Sequence, residues 1–122
     1  MGEASILIVE DDETLCQILR DLLELKTEYH VNMARTGQEA LYEAKERFFD
    51  VVLLDLKLPD MDGLDLLREL KKIHPTTQGI ILTGHTFEET ADGVSGKGAF
   101  AYLVKPSSAN EIMSTIERAL SK

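Results

Sequence analysis

The sequence predicts an α/β fold in which one five-stranded parallel sheet carries helices on both faces. Three observations predict it. Short apolar runs alternate along the chain with segments of helical periodicity, the pattern of repeated strand–helix–strand units. The run Val51–Leu54 is continuously apolar, which suits a strand buried on both faces. Polar residues and short turn-forming stretches close each run, so the connections are brief.

The first strand is Ser5 to Val9, followed by the acids Glu10, Asp11 and Asp12. A helix comes next, with Leu15, Ile18, Leu19, Leu22 and Leu25 predicted on its apolar face. Asp12, Glu13 and Thr14 suit its first turn, where acids favour the helix dipole. Tyr29 to Ala34 alternates weakly and predicts a second strand. Thr36 and Gly37 open a second helix, with Thr36 and Glu39 spaced as a capping box and Ala40, Leu41, Ala44 and Phe48 on one face. The central strand Val51–Leu54 ends in Asp55. Pro59, Asp60, Asp62 and Gly63 then mark a turn, with Asp60 and Asp62 as turn acids. A third helix carries Leu64, Leu67, Leu70 and Ile73 and stops at His74 and Pro75. Gly79 to Thr83 is the fourth strand. Phe87, Thr90, Ala91 and Val94 repeat at helical spacing, weakened by Gly93, Gly96 and Gly98. Phe100 to Val104 is the fifth strand, ending at Lys105 and Pro106. The last helix has its stripe at Ala109, Ile112, Met113, Ile116, Ala119 and Leu120.

With 122 residues and no internal repeat or linker, residues 1–122 are expected to form one domain. The formal charge of −9 disfavours direct nucleic-acid or acidic-membrane binding and suits a cation or a basic partner. No apolar run reaches the ~18 residues of a membrane span, and no signal-peptide pattern opens the chain. A single cysteine, Cys16, suits a reducing cytoplasm and reads as a packing residue. His30, His74 and His85 lack ligand spacing and read as surface residues.

In a parallel sheet the residues that end the strands meet at one edge. Here these are Glu10, Asp11, Asp55, Thr83 and Lys105, each interrupting an apolar run. Clustered carboxylates repel, and a bound cation relieves them. All-oxygen ligands suit Mg²⁺ or Mn²⁺ rather than zinc. Lys105 adds a positive charge and Thr83 a hydroxyl donor. Around one carboxylate, such groups form a cradle for a phosphoryl group, with Asp55 as the attacking acid.

IVEDD, LLDLKLPDMDG, ILTGH and AYLVKP, in that order along nearly the whole chain, resemble the receiver domain of two-component response regulators. The resemblance implies the flavodoxin-like doubly wound fold, strand order 2-1-3-4-5, with five helices. It implies that Asp55 accepts a phosphoryl group from a phosphohistidine on a sensor histidine kinase or phosphotransfer protein. Glu10 and Asp11 would hold Mg²⁺ with Asp55 and the backbone carbonyl of Lys57. Thr83 and Lys105 would bind phosphoryl oxygens, and Tyr102 would be an aromatic switch residue. A cis Lys105–Pro106 peptide and a downstream output domain or protein are further implications. The chain departs from the common pattern at Gly84 and Ser107, and Lys57 and His85 border the path of an attacking water.

Two other classes compete. Phosphatases with an aspartyl intermediate commonly carry a second acid two residues after the nucleophile, where this chain has Lys57. A flavodoxin-like cofactor carrier needs phosphate-cradling glycines after the first strand, where Glu10-Asp11-Asp12 would repel phosphate. A signalling phosphoacceptor, rather than an enzyme acting on other substrates, is the expected class.

Overall fold

The computed structural model describes residues 3–84 and 98–121. Five strands form one sheet: β1 (Ser5–Val9), β2 (His30–Ala34), β3 (Val51–Leu54), β4 (Gln78–Thr83) and β5 (Ala101–Val104). All neighbouring pairs are parallel, in the order β2-β1-β3-β4-β5. This is the doubly wound topology expected, and it brings the C-terminal ends of β1 and β3 side by side. The described helices are α1 (Glu13–Lys26), α2 (Gly37–Glu46), α3 (Gly63–Ile73) and α4 (Ala109–Leu120). The predicted helix through Phe87, Thr90, Ala91 and Val94 lies outside the described residues.

Period-two alternation divides the core into two layers. Leu7, Val9, Val52, Leu54 and Ile81 point toward α2 and α3. Ile6, Ile8, Val51, Leu53 and Ile80 point toward α1 and α4. Every residue of β3 is buried, which is why the central strand shows no alternation in sequence.

Each described helix begins at a side-chain cap, Thr36 where the sequence places one and Asp12, Asp62 and Ser108 as the structure shows. The Asp12 carboxylate accepts from Leu15 N, Thr36 Oγ1 from Glu39 N, Asp62 from Leu64 N and Ser108 Oγ from Glu111 N. Each satisfies an amide that a helix start leaves unpaired.

Two helix faces differ from expectation. On α1 the residues turned to the sheet are Cys16, Leu19 and Leu23, whereas Ile18 is 57% exposed and Leu25 82% exposed. The helix carries more apolar residues than one face holds, and the sheet selects the stripe at 16, 19 and 23. Cys16 is a packing residue as expected; burial is the main cause that pushes its thiol up to about 11, so it stays protonated and unreactive. On α2, Ala40 and Ala44 are buried, but the helix ends at Glu46 and Arg47 is extended. That break resets the phase. Phe49 enters the core and Phe48 lies outside it. Burying a Phe is worth about 1.5–3 kcal/mol, a gain either ring would bring; the phase set at Arg47 gives it to Phe49.

His74 is also less exposed than its sequence context suggests. Its Nε2 lies 2.9 Å from the carbonyl oxygen of Ala44. A carbonyl can only accept, so this nitrogen carries the proton and closes the end of α2. The ring of Phe48 packs edge-on against it, with centroids 5.2 Å apart.

Candidate functional site

The acids that follow β1 and β3 converge because those strands are neighbours in register, with Val9 opposite Leu54. The Asp55 amide donates to the Val9 carbonyl at 3.1 Å, and the Glu10 amide to the Ala34 carbonyl at 3.0 Å. One carboxylate oxygen from each of Glu10, Asp11 and Asp55 lies within 4.8 Å of the other two. Glu10 is buried, Asp55 half-buried and Asp11 exposed. The sequence expectation for these three therefore agrees with their placement. An all-oxygen cluster that opens to solvent through Asp11 fits a hard divalent cation that keeps some of its water.

Lys105, at the end of β5, reaches across the same edge. Its Nζ lies 2.8 Å from Glu10 Oε1 and 3.2 Å from Asp55 Oδ2. Glu10 Oε2 accepts from the amide of Asp12 at 3.0 Å. Burial, the largest influence, pushes the Glu10 carboxyl above its ordinary range, against hydrogen bonds from Lys105 and the Asp12 amide. For Lys105, burial would lower the pKa, but Glu10 and Asp55 together outweigh it and raise it. The ammonium is thus an internal counter-ion for two carboxylates. Asp55 Oδ1 accepts from the Lys57 amide at 3.3 Å, so both Asp55 oxygens have partners.

Thr83 is buried at the end of β4, opposite Val104, and Tyr102 is half-buried opposite Ile81. Residues two apart on a strand share a face, so Thr83, Ile81 and Tyr102 lie on the face toward α2 and α3. The Lys105–Pro106 peptide is cis. Ser107 Oγ donates to the Val104 carbonyl at 2.9 Å.

The turn between β3 and α3 is compact. The Gly63 amide donates to the Leu56 carbonyl at 2.7 Å, the Leu58 amide to the Met61 carbonyl at 3.3 Å, and Lys57 bridges Asp62. A Cβ at Gly63 would run into the carbonyl oxygen of Asp55 and come within 2.9 Å of Leu56 Cα. Backbone atoms cannot swing aside. Gly63→Ala should therefore cost about 1–3 kcal/mol, as overpacking does, read from the urea midpoint. An unchanged midpoint would mean that the turn has slack.

Three features were not legible in the sequence. Lys105 pairs with Glu10 as well as with Asp55. The Asp60 carboxylate reaches out of its turn to bond with α2. An apolar groove of about 550 Å³ separates α1 from α4, lined by Leu15, Ile18, Leu22, Pro106 and Ile112 and reaching Lys105. The apolar positions of α1 that miss the core provide one of its walls; a surplus of leucines in that helix was the available signal.

Comparison with known proteins agrees with this geometry. The family model described as Response regulator receiver domain matches residues 6–117. The transcriptional regulatory protein ZraR of Escherichia coli O157:H7 is 39% identical over 115 residues, covering 94% of this chain and 26% of ZraR. The regulatory protein LuxO of Vibrio vulnificus strain YJ016 is 34% identical over 115 residues, covering 94% and 25%. The chain thus spans about a quarter of the length of these relatives. The crystal structure of a CheY-like response regulator receiver domain from Methanospirillum hungatei JF-1 superposes with a TM-score of 0.92 at 33% identity, covering 98% of this chain and 95% of that one. Among the described residues no helix is long and apolar enough to cross a membrane. With its doubly wound sheet, its acidic cluster and a match over residues 6–117, the chain belongs to the response regulator receiver domain family.

Proposed function

We propose that Asp55 is the phosphoryl acceptor of this receiver domain, and that residues 1–122 act as one cytoplasmic signalling unit, not as an enzyme on other substrates. The observation that carries the reading is the meeting of Glu10, Asp11, Asp55 and Lys105 at the strand ends. Asp55 attacks the phosphorus of a phosphohistidine on a sensor histidine kinase or phosphotransfer protein. The P–N bond breaks as the P–O bond to Asp55 forms, and the imidazole leaves with a proton. Lys105 is close enough to Asp55 to neutralise the incoming phosphoryl oxygens, and Thr83 supplies a hydroxyl at the same edge.

Glu10, Asp11, Asp55 and the Lys57 carbonyl would hold Mg²⁺, with Mn²⁺ as an alternative. When bound, the ion supplies positive charge to the transferring group and offsets the crowded carboxylates. Tyr102 shares a sheet face with Thr83, so drawing the Thr83 hydroxyl toward phosphate frees space for that ring and changes the surface read by an output domain or protein. The groove between α1 and α4 is where a helix of the donor would lie, because it is apolar and continuous with Lys105.

The direct experiment is incubation with Mg²⁺ and acetyl phosphate. One acid-stable, base-labile phosphate per chain is expected; steady turnover of many phosphoesters would instead indicate an enzyme. Mg²⁺ should also stabilise the fold by mass action, by about 2.7 kcal/mol at a hundred times its dissociation constant. Asp11→Ala should remove most of that response. A melting temperature indifferent to millimolar-scale Mg²⁺ would count against the metal site.

A further inference from the structure

The turn that carries Lys57 is tied at its tip to a helix outside the acidic cluster. Asp60 lies three residues beyond Lys57 and is exposed. Its carboxylate accepts two backbone amides at the start of α2: Gly37 N to Oδ1 at 2.8 Å and Gln38 N to Oδ2 at 2.9 Å. Helix starts leave such amides unpaired, and the helix dipole favours an anion there. Thr36 Oγ1 takes the next amide, that of Glu39, at 3.0 Å. So α2 is capped jointly by its own residue and by one from the β3–α3 turn. Beside this bond, Met61 packs on Gly37 so closely that a Cβ there would collide with its Cγ and Sδ.

We propose that Asp60 is a positioning residue for the metal and phosphoryl site, holding the Lys57 peptide by anchoring the turn to α2. The inference rests on the reading of the Lys57 carbonyl as a metal ligand. Residues 56–63 are cross-linked among themselves by the Gly63–Leu56, Leu58–Met61 and Lys57–Asp62 contacts. They therefore move as a small unit, and a restraint at the tip is felt at Lys57. The base of that restraint is firm, because Ala40 and Ala44 bury α2 against the sheet. Two hydrogen bonds accepted by one carboxylate also set orientation, which a single contact would not.

The test compares Asp60→Ala and Asp60→Asn with the unaltered chain. Calorimetric titration gives the Mg²⁺ dissociation constant, and ¹⁵N NMR of the metal-free protein gives the amide shift of Lys57. Asp60→Ala should weaken Mg²⁺ binding about tenfold, the low end of what losing a group that orients a metal ligand costs. It should also move the Lys57 amide resonance before any metal is added. Asp60→Asn keeps one acceptor oxygen but turns an NH₂ toward the second amide, so its loss should be smaller. A cap with no positioning role would lower only the melting temperature. Mg²⁺ affinity within twofold of the unaltered chain, together with faster amide exchange at Gly37 and Gln38, would overturn the proposal. If Asp60→Ala does not fold, Asp60→Asn carries the test alone, since it removes one acceptor and leaves both α2 amides in place. It should weaken Mg²⁺ binding in the same direction, and unchanged affinity would overturn the proposal. Failure of the unaltered chain to bind Mg²⁺ would sink the metal reading instead. The metal-free Lys57 shift then decides for Asp60: a displaced resonance supports the anchor, and an unmoved one overturns it.

Discussion

Asp55→Asn should take up no phosphoryl group from acetyl phosphate while keeping its fold. The amide is a poor nucleophile of nearly the same shape. The backbone of residue 55 is held by its own N–H bond to the Val9 carbonyl, which the substitution leaves alone. The Asn oxygen can still accept from the Lys57 amide, as Asp55 Oδ1 does. The new NH₂ would face the Lys105 ammonium, which loses its 3.2 Å partner and settles on Glu10 at 2.8 Å. One charge also leaves a crowded acidic cluster, so the melting temperature without metal should hold or rise. Phosphate incorporation followed by peptide mapping is the measurement. Stoichiometric labelling of the variant on another residue would sink the assignment of Asp55.

Lys105→Met should separate two roles of the ammonium. It should slow phosphorylation strongly, because the cation nearest the acceptor is gone. It should also tighten Mg²⁺ binding several-fold, because ion and ammonium compete for Glu10 and Asp55. The cost to stability should be about 1–3 kcal/mol at neutral pH, as for a buried group that loses a partner.

That cost depends on pH, with a sign fixed by the directions of the shifts. In the unaltered chain the folded-state pKa of Lys105 is raised. Its contribution is fully present below about 10.5, its unfolded value, and is lost as pH rises through the folded value. In the variant Glu10 has no cation, so its carboxyl, already raised by burial, rises further. The folded state then binds the proton more tightly than the unfolded chain. The variant therefore regains stability as pH falls through the folded pKa of Glu10 toward its unfolded value near 4.5. The stability difference should form a plateau at neutral pH and shrink on both sides. Urea unfolding across pH tests this. A difference that stayed flat into the acid range would mean that Glu10 does not depend on Lys105.

The strands and the site edge were legible in the sequence because each rests on a local signal. A run such as Val51–Leu54 suits a strand buried on both faces, and the polar residue that closes it marks where that strand ends. The cap at Thr36 acts within three residues of itself. Asp55, Glu10, Asp11 and Lys105 were therefore nameable without coordinates, and parallel topology placed their strand ends together.

Tertiary structure decided what local signals leave degenerate. Apolar positions at 15, 18, 22 and 25 of α1 compete with those at 16, 19 and 23, and only the seating of the helix on β1 and β2 chooses between them. Phe48 and Phe49 are adjacent and equally apolar; the extended Arg47 after α2 selects Phe49. The Lys105–Glu10 pair joins residues 95 positions apart, and the bonds from Gly37 and Gln38 to Asp60 join residues 23 and 22 apart. For such pairs nothing in the intervening sequence carries the distance. A carboxylate in a turn reads as a turn former because its nearest amides are its own. The fold supplied better ones at the start of α2, where two unpaired N–H groups and the helix dipole point at it.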